Sequence, residues 1–212
     1  MRKLTALLCV AALTLIMAVP ALANPSIGAI VMESKSYETD STVEENWTIE
    51  VKEADTQVYV TKEVKDVVVA VNDPEQAVTV EAVVQNLKAF LPESVELSDD
   101  SVITIKKEDG EEKSVALKEY DFVTQFADIV LTDGTEVLFS EEGSIQNVRT
   151  GLIIDALKDE APENLENYLI MLINPDNGEV HFIELDPEMF DPETGRIVID
   201  FPCLGAFALI QK

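Results

Sequence analysis

The chain has 212 residues, with 15 Lys+Arg against 41 Asp+Glu, a formal net charge of −26, and 47% hydrophobic residues. That apolar content is enough to build a core and rules out an acidic disordered chain. The charge excess excludes a nucleic-acid binder, which needs cations to displace phosphate counterions, and argues against docking on an anionic membrane surface.

Met1-Arg2-Lys3 is a short basic region, and Leu4 to Val19 is apolar apart from Thr5 and Thr14. Ala21 and Ala23 then stand at the −3 and −1 positions of an A-x-A cleavage site. The apolar run is short for a membrane span of roughly 20 residues, so residues 1–23 are expected to be a cleaved secretory signal peptide. Cleavage leaves 212 − 23 = 189 residues starting at Asn24, with a charge of 13 − 41 = −28. The residue directly after the cleavage point is Asn24, not the Cys of a lipoprotein, no LPxTG occurs, and no later run is long enough to span a membrane. The mature protein is therefore expected to be secreted and extracellular, or periplasmic in a diderm, without a membrane anchor. Cys9 leaves with the signal, so Cys203 is the one remaining thiol and no intrachain disulfide is possible. Its setting, Phe201-Pro202-Cys203-Leu204-Gly205, predicts burial as a small apolar residue.

After the signal, Asn24 to Asp40 is a lead-in with one possible strand at Ile27 to Met32. Asn46 to Val51 alternates as a strand, with Trp47, Ile49 and Val51 on one face. Glu53-Ala54-Asp55 is a turn leading to a second short apolar piece at Val58 to Val60. Val64, Val67, Val68 and Val71 fall at helical spacing, although a valine-rich run also suits a strand. Asp73-Pro74-Glu75-Gln76 reads as an N-cap, a first-turn Pro and a capping-box Gln. It leads into the clearest amphipathic stripe of the chain: Val80, Val83, Val84, Leu87, Phe90 and Leu91, stopped by Pro92.

Strands are then predicted at Val102 to Lys106 and Val115 to Leu117, around a turn at Glu108 to Glu111. From Phe126 the pattern is a β-meander. Ile129 to Leu131 and Val137 to Phe139 flank Thr132-Asp133-Gly134-Thr135, and Glu141-Glu142-Gly143 turns into Ile145 to Val148. Leu152 to Leu157 fits a strand or a helical face and stays unassigned. Tyr168 to Ile173 is apolar on both faces, as a central strand is. Asn174-Pro175-Asp176-Asn177-Gly178 turns it into Val180 to Leu185. A second turn of the same kind, Asp191-Pro192-Glu193-Thr194-Gly195, joins Met189-Phe190 to Ile197 to Phe201, and Ala206 to Ile210 closes the chain.

The stretches Phe122 to Asp128, Asn174 to Glu179 and Phe201 to Ile210 resemble those of uncharacterised secreted proteins of gut Firmicutes. In these an N-terminal α+β region precedes a β-sandwich module ending in a Gly-Phe-containing strand. The resemblance covers about the last ninety residues. It implies a C-terminal immunoglobulin-like module and carries no catalytic motif.

Chemistry-bearing patterns are few. His181, the one histidine, lies in a strand on the face of Ile183 and Leu185, where a local hydrogen bond is its expected role. There is no G-x-S-x-G elbow, no Ser followed three residues later by Lys, and no pair of Gly spaced for GxGxxG. One His and one mature Cys cannot make HExxH or a Cys/His zinc site. Asp186, Glu188, Asp191 and Glu193 place four acids beside turn carbonyls, but not at EF-hand spacing, and a solvated acidic loop is the expected reading. No catalytic, cofactor-binding or metal residue is assigned, and no cofactor is expected.

The fold class expected is α+β: an N-terminal mixed region with an amphipathic helix over residues 24–120, then a C-terminal antiparallel immunoglobulin-like β-sandwich over 121–212. The function expected is a secreted non-enzymatic module for extracellular binding, adhesion or scaffolding, not an enzyme. Its partner would be an extracellular protein or glycan, not nucleic acid, met by the C-terminal loops or an uncovered edge strand and basic or neutral in charge. The alternative is a glycosidase-like hydrolase built from carboxylates alone.

Overall fold

The structure, a computed structural model, describes residues 30–33, 37–39, 47–107, 110–134, 137–138 and 146–212. The predicted signal peptide and the turn at Glu141 to Gly143 lie outside them. In chain order the elements are β1 (Ile30–Met32), β2 (Thr48–Glu53), α1 (Lys62–Asn72), α2 (Val80–Asn86), β3 (Val95–Leu97), β4 (Val102–Lys106), β5 (Glu112–Ala116) and β6 (Asp121–Phe122). They continue with β7 (Ala127–Thr132), β8 (Val137–Leu138), β9 (Gln146–Ile154), β10 (Tyr168–Ile173), β11 (Val180–Glu184), β12 (Phe190–Asp191), β13 (Arg196–Cys203) and β14 (Gly205–Gln211).

The strands form antiparallel sheets, so the fold is a β-rich α+β. A seven-stranded sheet has the order β11-β10-β14-β7-β2, with β6 added to β14 and β8 to β7. A four-stranded sheet, β1-β9-β13-β12, faces it across one core, and a three-stranded sheet, β3-β4-β5, lies with the helices on its other side. The sheets are not confined to the chain after residue 120: β1 pairs with β9, and β2 pairs with β7 along its whole length.

The central position of the seven-stranded sheet explains why β10 is apolar throughout. Leu169, Met171 and Ile173 join the helix-side core, while Tyr168, Ile170 and Leu172 join the core shared with the four-stranded sheet. All six residues of β10 are buried. The helix-side core takes Val64, Val67, Val68 and Val71 from α1 and Val80, Val83 and Val84 from α2. The open choice at Val64 to Val71 is thereby settled as helix, because only a helix lays all four valines on one buried stripe.

Several expectations are corrected. Val58 to Val60 is irregular chain after a turn at Thr56-Gln57, not a strand: Val58 and Val60 are exposed and Tyr59 is buried, at 2% exposure. The Val60 N–H finds the Pro175 carbonyl at 3.0 Å instead of a strand partner. Asp73 is the C-cap of α1 and does not start the next helix. Its carboxylate accepts from the Glu75 N–H and the Gln76 side-chain amide, closing a self-contained turn. The helix starts six residues later, where the Thr79 hydroxyl oxygen accepts the Ala82 N–H at 3.2 Å. It runs only to Asn86 before tightening into a 3₁₀ turn at Lys88–Phe90. Leu152 to Leu157 divides: β9 continues through Ile154, and Asp155–Leu157 is a 3₁₀ turn. Both Pro-x-x-Gly turns form as expected, with Gly178 at φ 80° and Gly195 at φ 72°, a conformation other residues adopt at a cost.

Candidate functional site

Alternation along β9 and β13 decides what the outer face of the four-stranded sheet carries. Val148, Leu152 and Ile154 point into the shared core, as do Ile197, Ile199 and Phe201. Arg149, Gly151, Arg196, Val198 and Asp200 therefore fall on the outer face. The register sets Gly151 opposite Val198, Arg149 opposite Asp200 and Arg196 opposite Ile153. Gly151 is thus midway between the two arginines, which stand about 13 Å apart along the ladder.

The chain around β1 walls this surface. The Glu33 N–H donates to the Gly151 carbonyl at 3.1 Å, and Glu38 exchanges both backbone bonds with Arg149, at 2.9 and 2.8 Å. The result is a cleft of about 340 Å³ lined by Glu33, Tyr37, Glu38, Arg149, Gly151 and Arg196, with Thr150 and Val198. A Cβ at position 151 would collide with the Glu33 carboxylate, so glycine is what lets Glu33 cross the sheet. Glu33 Oε1 there meets Arg196 Nε at 2.6 Å, and this bond raises the guanidinium above its ordinary value. Arg149 is held far more loosely: one terminal nitrogen is 3.5 Å from Asp200 Oδ2 and the other 3.5 Å from Met189 Sδ. Burial raises the Tyr37 phenol above its ordinary value. The lining combines guanidinium donors, carboxylate acceptors and one aromatic ring, and such groups hold a ligand by charge-assisted hydrogen bonds.

A second cleft, of about 410 Å³, opens beside α1 among Ala54, Val68, Val69, Asn72 and Gln125. Its amides serve the fold. The Asn72 side chain accepts the Phe126 N–H at 2.7 Å and donates to the Phe126 carbonyl at 2.9 Å, and Gln125 donates to the Asn72 carbonyl at 2.9 Å.

Asp128 is a carboxylate at 1% exposure on the helix-side face of β7. It accepts the Tyr59 hydroxyl at 2.6 Å and the Asp55 N–H at 2.8 Å. Burial pushes its carboxyl up to about 6, with these two bonds working in the opposite direction. A raised carboxyl is what a carboxylate-based hydrolase uses as its acid, but this one is sealed beneath Tyr59 and lines neither cleft. Its role is to pin the turn between β2 and α1 to the sheet.

His181 sits on β11 opposite Leu172, on the side of Ile183. Burial lowers its imidazole, while Glu179, 3.8 Å away, acts the other way. Cys203 is buried, and its thiol is pushed up to about 12 by burial and by the charges of Glu179 and Asp176, which leaves it protonated and unreactive. The acids of the 186–193 loop do not converge. The Asp186 carboxylate accepts the Glu188 N–H, and that of Asp191 accepts the Glu193 N–H and the Thr194 hydroxyl. Among the described residues no three His, Cys, Asp or Glu are placed to hold a metal ion, and no helix is long and apolar enough to cross a membrane.

Nothing in the local sequence pattern singles out Arg149, Arg196 or Asp128. The available signals are the rarity of arginine, which occurs only at positions 2, 149 and 196, and one acid inside the apolar run Phe126 to Leu131. Comparison with family models, with curated proteins and with solved structures finds no match to this chain.

Proposed function

We propose that this protein is a secreted, non-enzymatic binding module, and that its two facing sheets serve as an immunoglobulin-like sandwich whose four-stranded outer face carries the recognition surface. The observation that supports this reading is the cleft over Gly151. Both arginines that follow the predicted signal line it, although they are 47 residues apart in sequence and the chain is acidic overall. Binding the ligand on a sheet face also uses the rigid part of the scaffold, where partner groups keep their geometry without ordering cost. The partner is an extracellular protein or glycan. This reading moves the contact from the C-terminal loops, where the charge pattern suggests it, to the strands between them.

The test is a panel of immobilised glycans and extracellular proteins, probed with the mature chain and with Gly151→Val. A β-branched residue suits strand backbone, and its only close neighbour is the flexible end of Glu33, so the variant fills the cleft while keeping the fold. Saturable binding lost in a variant with an unchanged melting temperature supports the reading. Binding that survives the substitution places the surface elsewhere, and turnover of a glycoside on the panel overturns the non-enzymatic assignment.

A further inference from the structure

We propose that residues 54–60, the connection between β2 and α1, form a pH-operated latch that is held shut over the helix-side core in acid and opens more readily as the medium becomes neutral. Among the described residues, three hydrogen bonds tie this connection to elements outside it. Two of them end on one side chain: Asp128 accepts the Asp55 N–H at 2.8 Å and the Tyr59 hydroxyl at 2.6 Å. The third runs from the Val60 N–H to the Pro175 carbonyl at 3.0 Å. The backbone bonds of Gln57 and Val58 return to Asp55 and hold only the connection itself. Val58 and Val60 are exposed, so Tyr59 is the one fully buried residue of the segment. Thr61, which follows, makes no side-chain cap on α1, and its hydroxyl oxygen is buried without a partner among the described residues. A segment with so few ties opens locally at a lower free energy than the sheet beneath it.

Asp128 supplies the pH dependence. It is buried next to Ala206 of β14 and opposite Lys52 of β2, and the buried face of α1 is all valine. The Lys52 ammonium is committed to Glu50, 3.4 Å away, and the charge of Asp55 opposes ionisation of Asp128. The Tyr59 phenol is raised above its ordinary value by burial and by Asp128, so it stays a hydroxyl throughout. A neutral Asp128 carboxyl donates to the Tyr59 oxygen while its second oxygen accepts the Asp55 N–H, and no charge is buried. An ionised carboxylate offers about four lone-pair sites to those two donors, and burial penalises its charge. Opening the connection hydrates it, and moves Ala54 and Thr56, which form one wall of the cleft of about 410 Å³ beside α1. Burial raises the carboxyl of the closed form from 3.8 to about 6, so the latch is tightest below about pH 4 and has lost that advantage once pH rises through about 6.

The experiment follows backbone amide exchange in the mature chain by NMR, with intrinsic rates divided out, from pH 4 to pH 7.5. The opening constant read at Asp55 and Val60 is expected to rise by about tenfold between pH 5 and pH 7.5 and to level off above about pH 6. At every pH it should exceed that of Ile170 in β10 by at least about tenfold, since β10 opens only with the whole sheet. Asp128→Asn, which keeps the shape and an accepting oxygen, should make the opening constant level across the range. In the natural protein the Asp128 carboxyl carbon should titrate with its midpoint where the opening constant levels off. Equal opening at Ile170 makes the event global and overturns the latch. An opening constant that does not change with pH, or one that still rises in Asp128→Asn, overturns Asp128 as its control. Should the variant not fold, the natural protein decides alone: a levelling point away from the carboxyl midpoint overturns the assignment, and a matching one supports it.

Discussion

The cores on the two faces of the seven-stranded sheet differ in the side chains that fill them. On the helix side valines from α1, α2, β3, β5 and β11, with Ala206 and Ala208 from β14, pack beside larger residues such as Leu87, Phe126 and Phe182. On the other side the same strand β14 presents Phe207 and Leu209 to leucines, isoleucines and Phe201. Phe201 and Phe207 meet edge to face, with ring centroids 5.5 Å apart. The helix side also buries the pin of Asp128 with Tyr59, whereas the opposite core buries Thr150, Tyr168 and Cys203 among hydrocarbon side chains. The helix side thus holds a buried carboxyl that makes stability depend on pH.

The largest effect tests that asymmetry directly. Phe201→Ala should cost about 3–5 kcal/mol, through lost burial and the cavity left behind. Val68→Ala on the helix side, equally buried, should cost about half as much, since it removes roughly two methylene equivalents. Chemical denaturation gives both values, and equal costs would erase the distinction. Gly195→Val comes next, at about 2–3 kcal/mol. Position 195 has φ 72°, and a Cβ there would lie 2.6 Å from the Ile154 carbonyl oxygen, which belongs to the four-stranded sheet and cannot move aside. A melting temperature unchanged by this substitution would contradict the turn geometry.

The third prediction concerns pH. The Asp128 carboxyl rises from an ordinary value of 3.8 to about 6 on folding, so the folded state holds its proton more tightly. Its contribution is therefore fully present below about pH 4 and is lost as pH rises through about 6. Relative to Asp128→Asn, the natural protein should be more stable at pH 4.5 than at pH 7.5 by on the order of 2 kcal/mol. A difference between the two proteins that stays flat across this range would mean that the carboxylate is not buried in charged form. The smallest effect is at Glu193, an exposed turn residue, where Glu193→Lys should change stability by less than about 0.5 kcal/mol. Thermal melts that rank Glu193→Lys above Gly195→Val would overturn the β12–β13 hairpin.

The strands and turns from Tyr168 onward were legible because their signals are local: Pro presets one backbone angle, Gly takes the left-handed position, and alternation sets the faces. The valine stripe of α1 was legible as helical spacing with a strand left open beside it, since β-branched residues disfavour helices in isolation and burial against the sheet outweighs that preference. The run Val58 to Val60 misleads for the converse reason. It is apolar enough for a strand, yet the Val60 N–H bonds the turn carbonyl of Pro175, and one buried tyrosine anchors the run. The Asp73 turn carries every mark of a helix start and closes on itself, because its carboxylate satisfies the local donors before a helix forms.

What the sequence alone settles, then, is the alternation that makes β9 and β13 two-faced strands, the hairpin turns that join the later strands, and the apolar run that makes Cys203 an inert core residue. The cleft belongs to the tertiary structure. Arg149 and Arg196 share a surface only because antiparallel register sets their strands side by side, and Glu33 reaches them only because β1, more than a hundred residues earlier, pairs with β9 over a glycine. A one-residue slip in that pairing would turn every one of these side chains to the opposite face, and no local pattern encodes the register between strands so far apart in the chain.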